Sequence, residues 1–359
     1  MKKNRDKILI PIIAIILGIL LGVIILLISG KNPLYLFTGL VRAATGIKAG
    51  SGFNLRYPGE FLVTTMPLVL SGLAIGFAYR CGMFNIGSEG QVIMGSLFAC
   101  VFAVLAPIDS KLGVVLAVIA GGIGGALWAF IPGILKVKFN ISEVVSGIML
   151  NYTALYSANY FIRNLPGADV TRTAKFSDNM LLRSEFLSEV TNGSRLHWGI
   201  IVVILALVAY WFIMEKTSFG YALRATGFNK DAAKYAGIKD DRAVIQSIMI
   251  SGALAGLAGS MLVLGTFGYG RVMASFEFYG FDGIAVALVG NCNAIGIGLG
   301  AMLFGLLKVA EPILQTSGIP REVAQIVSSS IIFFVALQYA IKFVLEKIRS
   351  RKVVKGGNE

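Results

Sequence analysis

From Ile8 to Ser29 the chain carries no charged side chain, and a run of that length has few stable destinations. A helix rises about 1.5 Å per residue, so about 20 apolar residues cross the roughly 30 Å hydrocarbon layer of a bilayer, where every backbone polar group must be satisfied within the segment. Comparable runs recur at Phe61–Tyr79, Gln91–Ala106, Gly113–Leu135, Val144–Ile162, Trp198–Met214, Val244–Thr266 and Val323–Leu345. Hydrophobic residues make up 56% of the chain and charged ones 14%, against about 25% charged in soluble domains. The expected fold is therefore an all-α polytopic membrane protein. The basic start "MKKNRDK" has the outline of a secretory leader, but the run behind it is long enough to span and no small-x-small cleavage pattern follows, so it is expected to be a retained first helix.

One further apolar stretch, Phe281–Val309, is interrupted by "GNCNAIG". Counted as a single crossing, it gives nine spans and puts the termini on opposite sides. Both termini are basic, however, with Lys2, Lys3, Arg5 and Lys7 at the start and Lys342, Lys347, Arg349, Arg351, Lys352 and Lys355 at the end. Positive segments stay on the cytoplasmic side. The conflict disappears if Phe281–Asn291 and Ala294–Val309 are two short segments that enter and return, giving about ten transmembrane segments, short or broken helices included. Both termini, "KVK" at 136–138 and the loop Glu215–Arg242 are then cytoplasmic, while Lys31–Glu60 and Arg163–His197 face outside. The implied organisation is a transmembrane domain over residues 1–345, containing the 215–242 loop, and a basic cytoplasmic tail over 346–359. The net charge of +13 is divided among short loops, which suits topology and anionic lipid better than a single nucleic-acid-binding stripe.

Within this chain the run "CGMFNIGSEGQVIMGS", Cys81–Ser96, is out of place. Irregular polar backbone at membrane depth is tolerated only where it is buried in protein or lines a wet cavity. Ser88 and Gln91 have capping-box spacing, and Glu89 would sit in the first turn, where the helix dipole favours an acid. A helix beginning there would aim open amides at a polar ligand, as broken helices of transporters do, and an intramembrane glutamate is a functional candidate by default. The alternative is an ordinary cytoplasmic turn with Arg80 at the interface. A second Gly-interrupted segment, "FDGIAVALVGN", offers Asp282 as a cap, and paired short segments point to a transport pathway at their junction. Asn151 and Asn159, eight residues apart near one helix face, either line a cavity with Tyr152 and Tyr156 or hydrogen-bond between helices.

Catalysis has little to work with. Cys81, Cys100 and Cys292 are scattered and odd in number, so they suggest neither a disulfide framework nor a zinc site. The single histidine, His197, stands beside Trp198 at the start of an apolar run, where an interfacial anchor is expected. No G-x-x-x-x-G-K-[ST] phosphate loop is present; the nearest fragment is "SGKN" at 29–32. No catalytic residue, metal site or cofactor is therefore assigned to this chain, and any ATP would be hydrolysed elsewhere.

The loop "EKTSFGYALRATGFNKDAAKYAGIKDDRAVIQ" is ordered in its chemistry. Asn229 can cap a short helix, Lys230–Tyr235, that Gly237 terminates. Such a helix is too short to be stable alone and is expected to be held by another protein. An ordinary solvated loop would explain the charges but not the succession of cap, alanines and glycine.

These residues resemble a known family. "TSFGYALRATGFNKDAAKYAGI", followed by "SGALAGLAG", is similar to the coupling-loop region of membrane permease subunits of ABC importers, in the branch serving simple sugars, branched-chain amino acids and nucleosides. "GMFNIGSEGQVIMG" and "FDGIAVALVGNCNAIGIGLGAMLFG" resemble the pore motif and late membrane motif of the same branch, and the resemblance covers most of the chain from Pro67 to Gly305. The polar N-I-G-x-E-G-Q form, the long outside segments and "LPGADVTRTAKF" look most like the longer permease subunit of bacterial nucleoside importers. "VGNCNAIG" departs from the pattern, with Asn291, Cys292, Asn293 and Ala294 where relatives often have a proline-containing turn.

The resemblance implies a permease-type fold in the bacterial cell membrane, a second permease subunit, cytoplasmic ATP-binding subunits that hold ATP and Mg, an extracellular substrate-binding lipoprotein, and a nucleoside substrate. By motif position, Asn85, Ser88, Glu89 and Gln91 would line the pathway, joined by Asn151 and Asp282. Asn229 to Gly237 would form the coupling helix, with Arg224, Gly227, Ala232 and Ala233 in the ATPase-coupling region. Two alternatives stay open: the same importer class for a sugar such as ribose, and a stand-alone proton-coupled transporter with Glu89 or Asp282 as carrier. An intramembrane enzyme would need a nucleophile–base pair or a metal cluster, and neither is found.

Overall fold

The computed structural model describes residues 2–48, 52–106, 108–337, 340–341 and 343; the expected tail 346–359 lies outside them. The fold is all-α. In chain order the helices are α1 (Lys2–Ile28), α2 (Leu34–Thr45), α3 (Arg56–Arg80), α4 (Ser88–Leu105), α5 (Lys111–Phe139), α6 (Glu143–Arg163), α7 (Glu185–Val190), α8 (Gly199–Lys216), α9 (Ser218–Phe228), α10 (Lys230–Tyr235), α11 (Asp240–Ser260), α12 (Tyr279–Val289), α13 (Ala294–Thr316) and α14 (Arg321–Ala336). Among the described residues, strand pairing is confined to a two-residue ribbon, Ile47–Lys48 against Gly52–Phe53, and two isolated bridges. Among the described residues, six helices are long and apolar enough to cross a membrane: α3, α4, α5, α8, α11 with its π-helical extension Met261–Phe267, and α13.

The apolar runs expected to span coincide with helices over the described residues, the end of the run Val323–Leu345 lying outside them, and there are four differences. The return segment expected at Ala294–Val309 is a full 23-residue helix that carries Pro312 inside it and runs to Thr316, beyond which the chain turns at Gly318, φ 78°. Three helices fall in stretches read as loops: α2, whose Leu36, Gly39 and Ala43 are buried; the six-residue α7; and α9, which Thr217 caps by accepting the Gly220 N–H.

The chain forms two compact units, residues 1–53 with 306–359, and residues 54–305. In the first, α1 packs on α14 through glycines: a Cβ on Gly18 would lie 2.6 Å from Ile331 Cα, and one on Gly22 would lie 2.9 Å from a Val327 methyl.

The second unit is built on the contact of α4, α5 and α11. Gly95, Gly125, Gly252 and Gly256 stand where these backbones nearly touch. A Cβ on Gly95 would collide with Gly256, and one on Gly125 with the Gly252 carbonyl. Lipid supplies no hydrophobic force between helices, so association depends on such close packing and on interhelical hydrogen bonds. Helix α3 runs against α8, α11 and α12, tied to α11 by Ser251 Oγ donating to the Ala74 carbonyl at 2.6 Å and Ser247 Oγ to the Phe77 carbonyl at 3.4 Å. Opposite the Arg80 end, the segment 165–198 is laced to 264–273 by backbone bonds, including Thr173 N to Gly270 O at 2.9 Å and Leu182 N to Leu264 O at 3.1 Å.

Candidate functional site

At the end of α3, Arg80 pairs with Glu215, whose other carboxylate oxygen meets Arg224 at 3.2 Å. The chain then turns at Gly82, φ 81°, and runs irregularly to Gly87. Asn85 fixes how far that excursion goes. Its Nδ2 donates to Ser251 Oγ at 2.8 Å, and Ser251 also reaches the Ala74 carbonyl. Ala74 precedes Arg80 by about 9 Å along the helix axis. The chain therefore re-enters the bundle before α4 begins, which favours a broken helix over an ordinary turn at the level of Arg80.

The start of α4 differs from the capping box expected of Ser88 and Gln91. The N-cap is Gly87, with no side-chain cap. Gln91 instead pairs with Asn85, accepting at Oε1 (2.8 Å) and donating from Nε2 to Asn85 Oδ1 (3.1 Å). Ser88 Oγ is buried without a hydrogen-bond partner among the described residues. Nor is the first turn open toward a ligand at Gly90, whose N–H donates to Asn151 Oδ1 at 2.8 Å while Asn151 Nδ2 donates to the Ile86 carbonyl at 3.0 Å. Asn159 clamps Met273 in the same manner, N–H to Oδ1 at 2.8 Å and Nδ2 to the carbonyl at 2.7 Å. Of the two readings of this pair, hydrogen bonding to neighbouring segments is the one observed. A buried amide side chain satisfies both polarities of irregular backbone, which a helix at this depth must do somehow.

Glu89 holds the other break. The residue is 1% exposed. Oε1 accepts from Glu277 N at 3.1 Å and Phe278 N at 2.9 Å, and Oε2 from Gly280 N at 2.7 Å. The last two are orphan donors at the opening of α12, and Glu277 N belongs to the residue just before its cap. Gly280 has no room for a side chain because a Cβ would strike the Glu89 backbone, and Gly283 likewise lies on Ser71. Asp282, in the first turn of α12, sits between those two contacts and is partly buried. Beside Glu89 lies a small cavity with about 20 Å³ of space for water centres, lined among others by Ser96, Phe267, Tyr269, Arg271 and Glu277, room for about one water. Arg271 pairs with Glu277 at 2.6 Å and lies over the Phe267 ring at 3.3 Å.

Helix α12 has 11 residues, about 16 Å and too short to span. The turn to α13 passes through Asn291 and Cys292, both left-handed at φ 51° and 50°. Asn293 accepts the Gly296 N–H at 2.8 Å and donates to the Gly290 carbonyl at 2.7 Å, and Tyr210 donates to the Cys292 carbonyl at 2.6 Å. The departure from a proline-containing turn is thus accommodated by Asn291, a residue type that tolerates the left-handed region, and by Asn293, whose side chain ties the two ends of the turn together.

The segment after α8 has the form its residues predict. Asn229 Oδ1 accepts the Ala232 N–H at 2.9 Å, and Gly237, φ 82°, closes α10 with Ile238 N on the Ala233 carbonyl at 3.0 Å. Ala233 is buried, whereas Phe228 and Tyr235 are 91% and 98% exposed. Gly227 abuts the Arg80 carbonyl and Gly82. The α9 end therefore touches the chain at the point where the first break begins. Arg224, Gly227, Asn229, Ala232, Ala233 and Gly237 form one contiguous feature at the Arg80 end, separate from the group Asn85, Ser88, Glu89, Gln91 and Asn151.

His197 is not at an interface. It is 0% exposed, packed on Gly199 and Gly265, with Nδ1 accepting the Gly199 N–H at 3.1 Å. Burial, with Arg183 and Arg195 nearby, pushes its imidazole down to about 4. Trp198, 48% exposed, has the surface position expected of the pair. Among the described residues no group of His, Cys, Asp and Glu could hold a metal ion. Sequence reasoning passed over Phe228, Tyr235, Glu277 and Phe278; the available signal was aromatic residues set in otherwise irregular, polar chain.

Residues 57–336 match the family described as branched-chain amino acid transport system / permease component. The chain is 44% identical over 354 residues to the guanosine ABC transporter permease protein NupP of Bacillus subtilis, covering 98% of this chain and 99% of that protein. It is 38% identical to the nucleoside ABC transporter permease protein NupB of Lactococcus lactis, covering 98% and 97%. It is 30% identical to the glucose ABC transporter permease protein TsgB13 of Haloferax volcanii, covering 77% of this chain and 74% of that protein.

Proposed function

The chain belongs to the family of permease components of ABC importers, multi-pass membrane proteins whose ATPase lies on separate subunits, and from that membership we propose that it forms the translocation pathway for nucleosides. The observation that carries the substrate class is similarity along nearly the whole chain to two nucleoside permeases, where the sugar permease matches less of it.

In this reading α10 is the contact for a cytoplasmic ATP-binding subunit, which binds ATP and Mg. The exposed Phe228 precedes, and the exposed Tyr235 ends, a helix too short to stand alone. Displacement of α10 reaches the membrane part by contact: α9 carries Gly227, Gly227 bears on Arg80 and Gly82, and the strand of irregular chain from Gly82 ends in the Asn85–Gln91 pair. Both termini and α10 are cytoplasmic, the laced segment 165–198 faces outside toward a substrate-binding lipoprotein, and a second permease subunit completes the pathway. Glu89, Asn85, Gln91 and Asn151 serve it as fixed walls: each is committed to backbone or side-chain bonds that hold the two breaks open.

The test is uptake of labelled guanosine and uridine into proteoliposomes holding this chain with its co-expressed partners. Uptake that requires ATP supports the reading. Import of ribose with no import of either nucleoside overturns the substrate class.

A further inference from the structure

Phe278 combines features that a lipid-facing or core phenylalanine would not. Its φ is 67°, left-handed, and for a bulky residue a conformation that persists only when the surroundings enforce it. The enforcement is visible: Glu89 Oε1 accepts from Phe278 N and from the preceding N–H, and Oε2 from Gly280 N. The result of this arrangement is a residue that is 54% exposed, its ring flanked by Phe281 at 5.9 Å between centroids, with Phe276 against Phe281 at 5.9 Å and Tyr152 against Phe276 at 4.9 Å.

Position decides what the exposure means. Gly283 packs on Ser71, nine residues before Arg80 and about 13 Å along α3, so α12 opens near the middle of a roughly 30 Å layer. The chain on the N-terminal side of Phe278 is irregular from Gly268 onward. Irregular backbone at that depth is not tolerated facing lipid. The exposed ring therefore faces a water-filled or protein-lined space.

Resting on the nucleoside reading above, we propose that Phe278 is the stacking surface for the nucleobase in the pathway, and that Glu89 is the positioning residue that holds its backbone in the left-handed conformation. A base has an apolar π-face and a Phe ring in an aromatic cluster presents the matching one; sugars lack it.

The test uses the complete transporter in proteoliposomes. Nucleosides imported per ATP hydrolysed fall about tenfold in Phe278→Gly and Phe278→Leu, within the range for removal of one base-stacking ring, and stay within about twofold of the wild type in Phe278→Trp. Phe278→Gly suits φ 67° better than Phe itself, so its thermal stability is retained and a folding defect does not account for the loss. Independently, 8-azidoguanosine photolabels the wild-type peptide containing residues 276–281. Wild-type ratios in Phe278→Gly and Phe278→Leu, a Trp variant no better than Leu, or label falling elsewhere overturn the inference while leaving nucleoside import standing. Failure of the wild type to import any nucleoside removes both.

Discussion

Replacing Glu89 with glutamine preserves size and shape and removes one acceptor oxygen. In the native chain the two oxygens serve three donors, Glu277 N and Phe278 N on one and Gly280 N on the other. The best placement of the carboxamide keeps its oxygen on the pair and turns its NH2 toward the Gly280 N–H, donor against donor. A buried donor left unsatisfied costs about 1–3 kcal/mol, so Glu89→Gln is expected to lose about 2 kcal/mol. The three cysteines provide the assay, since all are free and buried and react with a thiol-specific fluorogenic dye only on opening. Heated in detergent, the variant should unfold about 3–6 °C below the wild type. Cys100 should react first, because Gly270 in the released segment lies against its sulfur. A midpoint within 1 °C of the wild type, with no preference for Cys100, would refute the idea that this carboxyl pins the opening of α12.

Other outcomes follow from separate features. Tyr235→Ala removes a fully solvated ring; stability should stay within about 0.5 kcal/mol, while co-purification of the ATP-binding subunits falls about tenfold. Gly256→Val places a side chain against the Gly121 carbonyl and Gly125 and should cost about 3 kcal/mol or abolish the folded form, read as loss of monodisperse protein on size exclusion. His197 is buried with its pKa depressed to about 4, so the unfolded chain, at about 6.5, takes up the proton first as pH falls. Its contribution is intact above about pH 6.5, declines progressively down to about pH 4, and amounts to about 2 kcal/mol of lost stability at pH 5. In His197→Asn the drop in unfolding midpoint between pH 7.5 and pH 5 should shrink accordingly; an unchanged drop would show that other groups cause it.

Much of this architecture is written locally. The run Gly113–Leu135 and the cap at Asn229 with its terminator Gly237 need only neighbouring residues; the run lies within the helix Lys111–Phe139, and the cap and terminator bracket α10. What the sequence could not disclose is which partner a polar side chain chooses. Ser88 and Gln91 satisfy the capping-box spacing, but Asn85 competes for Gln91 because Ser251, 166 residues from Asn85, fixes it nearby. Asn151 and Asn159 left two readings open for the same reason: the Ile86 and Met273 backbones they clamp are remote in sequence. His197 looked interfacial beside Trp198, and only the approach of Gly265 and Gly199 shows it enclosed. The role of Phe278 was invisible because a positive φ at phenylalanine contradicts local preference and is imposed by Glu89 from another helix.

The most direct measurement compares two sets of proteoliposomes loaded with internal ATP and offered labelled guanosine, one holding this chain with its ATP-binding subunits and remaining partners, the other this chain alone. Accumulation above the outside concentration is predicted in the first, abolished when ATP is omitted, and absent in the second. Accumulation by the chain alone would contradict the account.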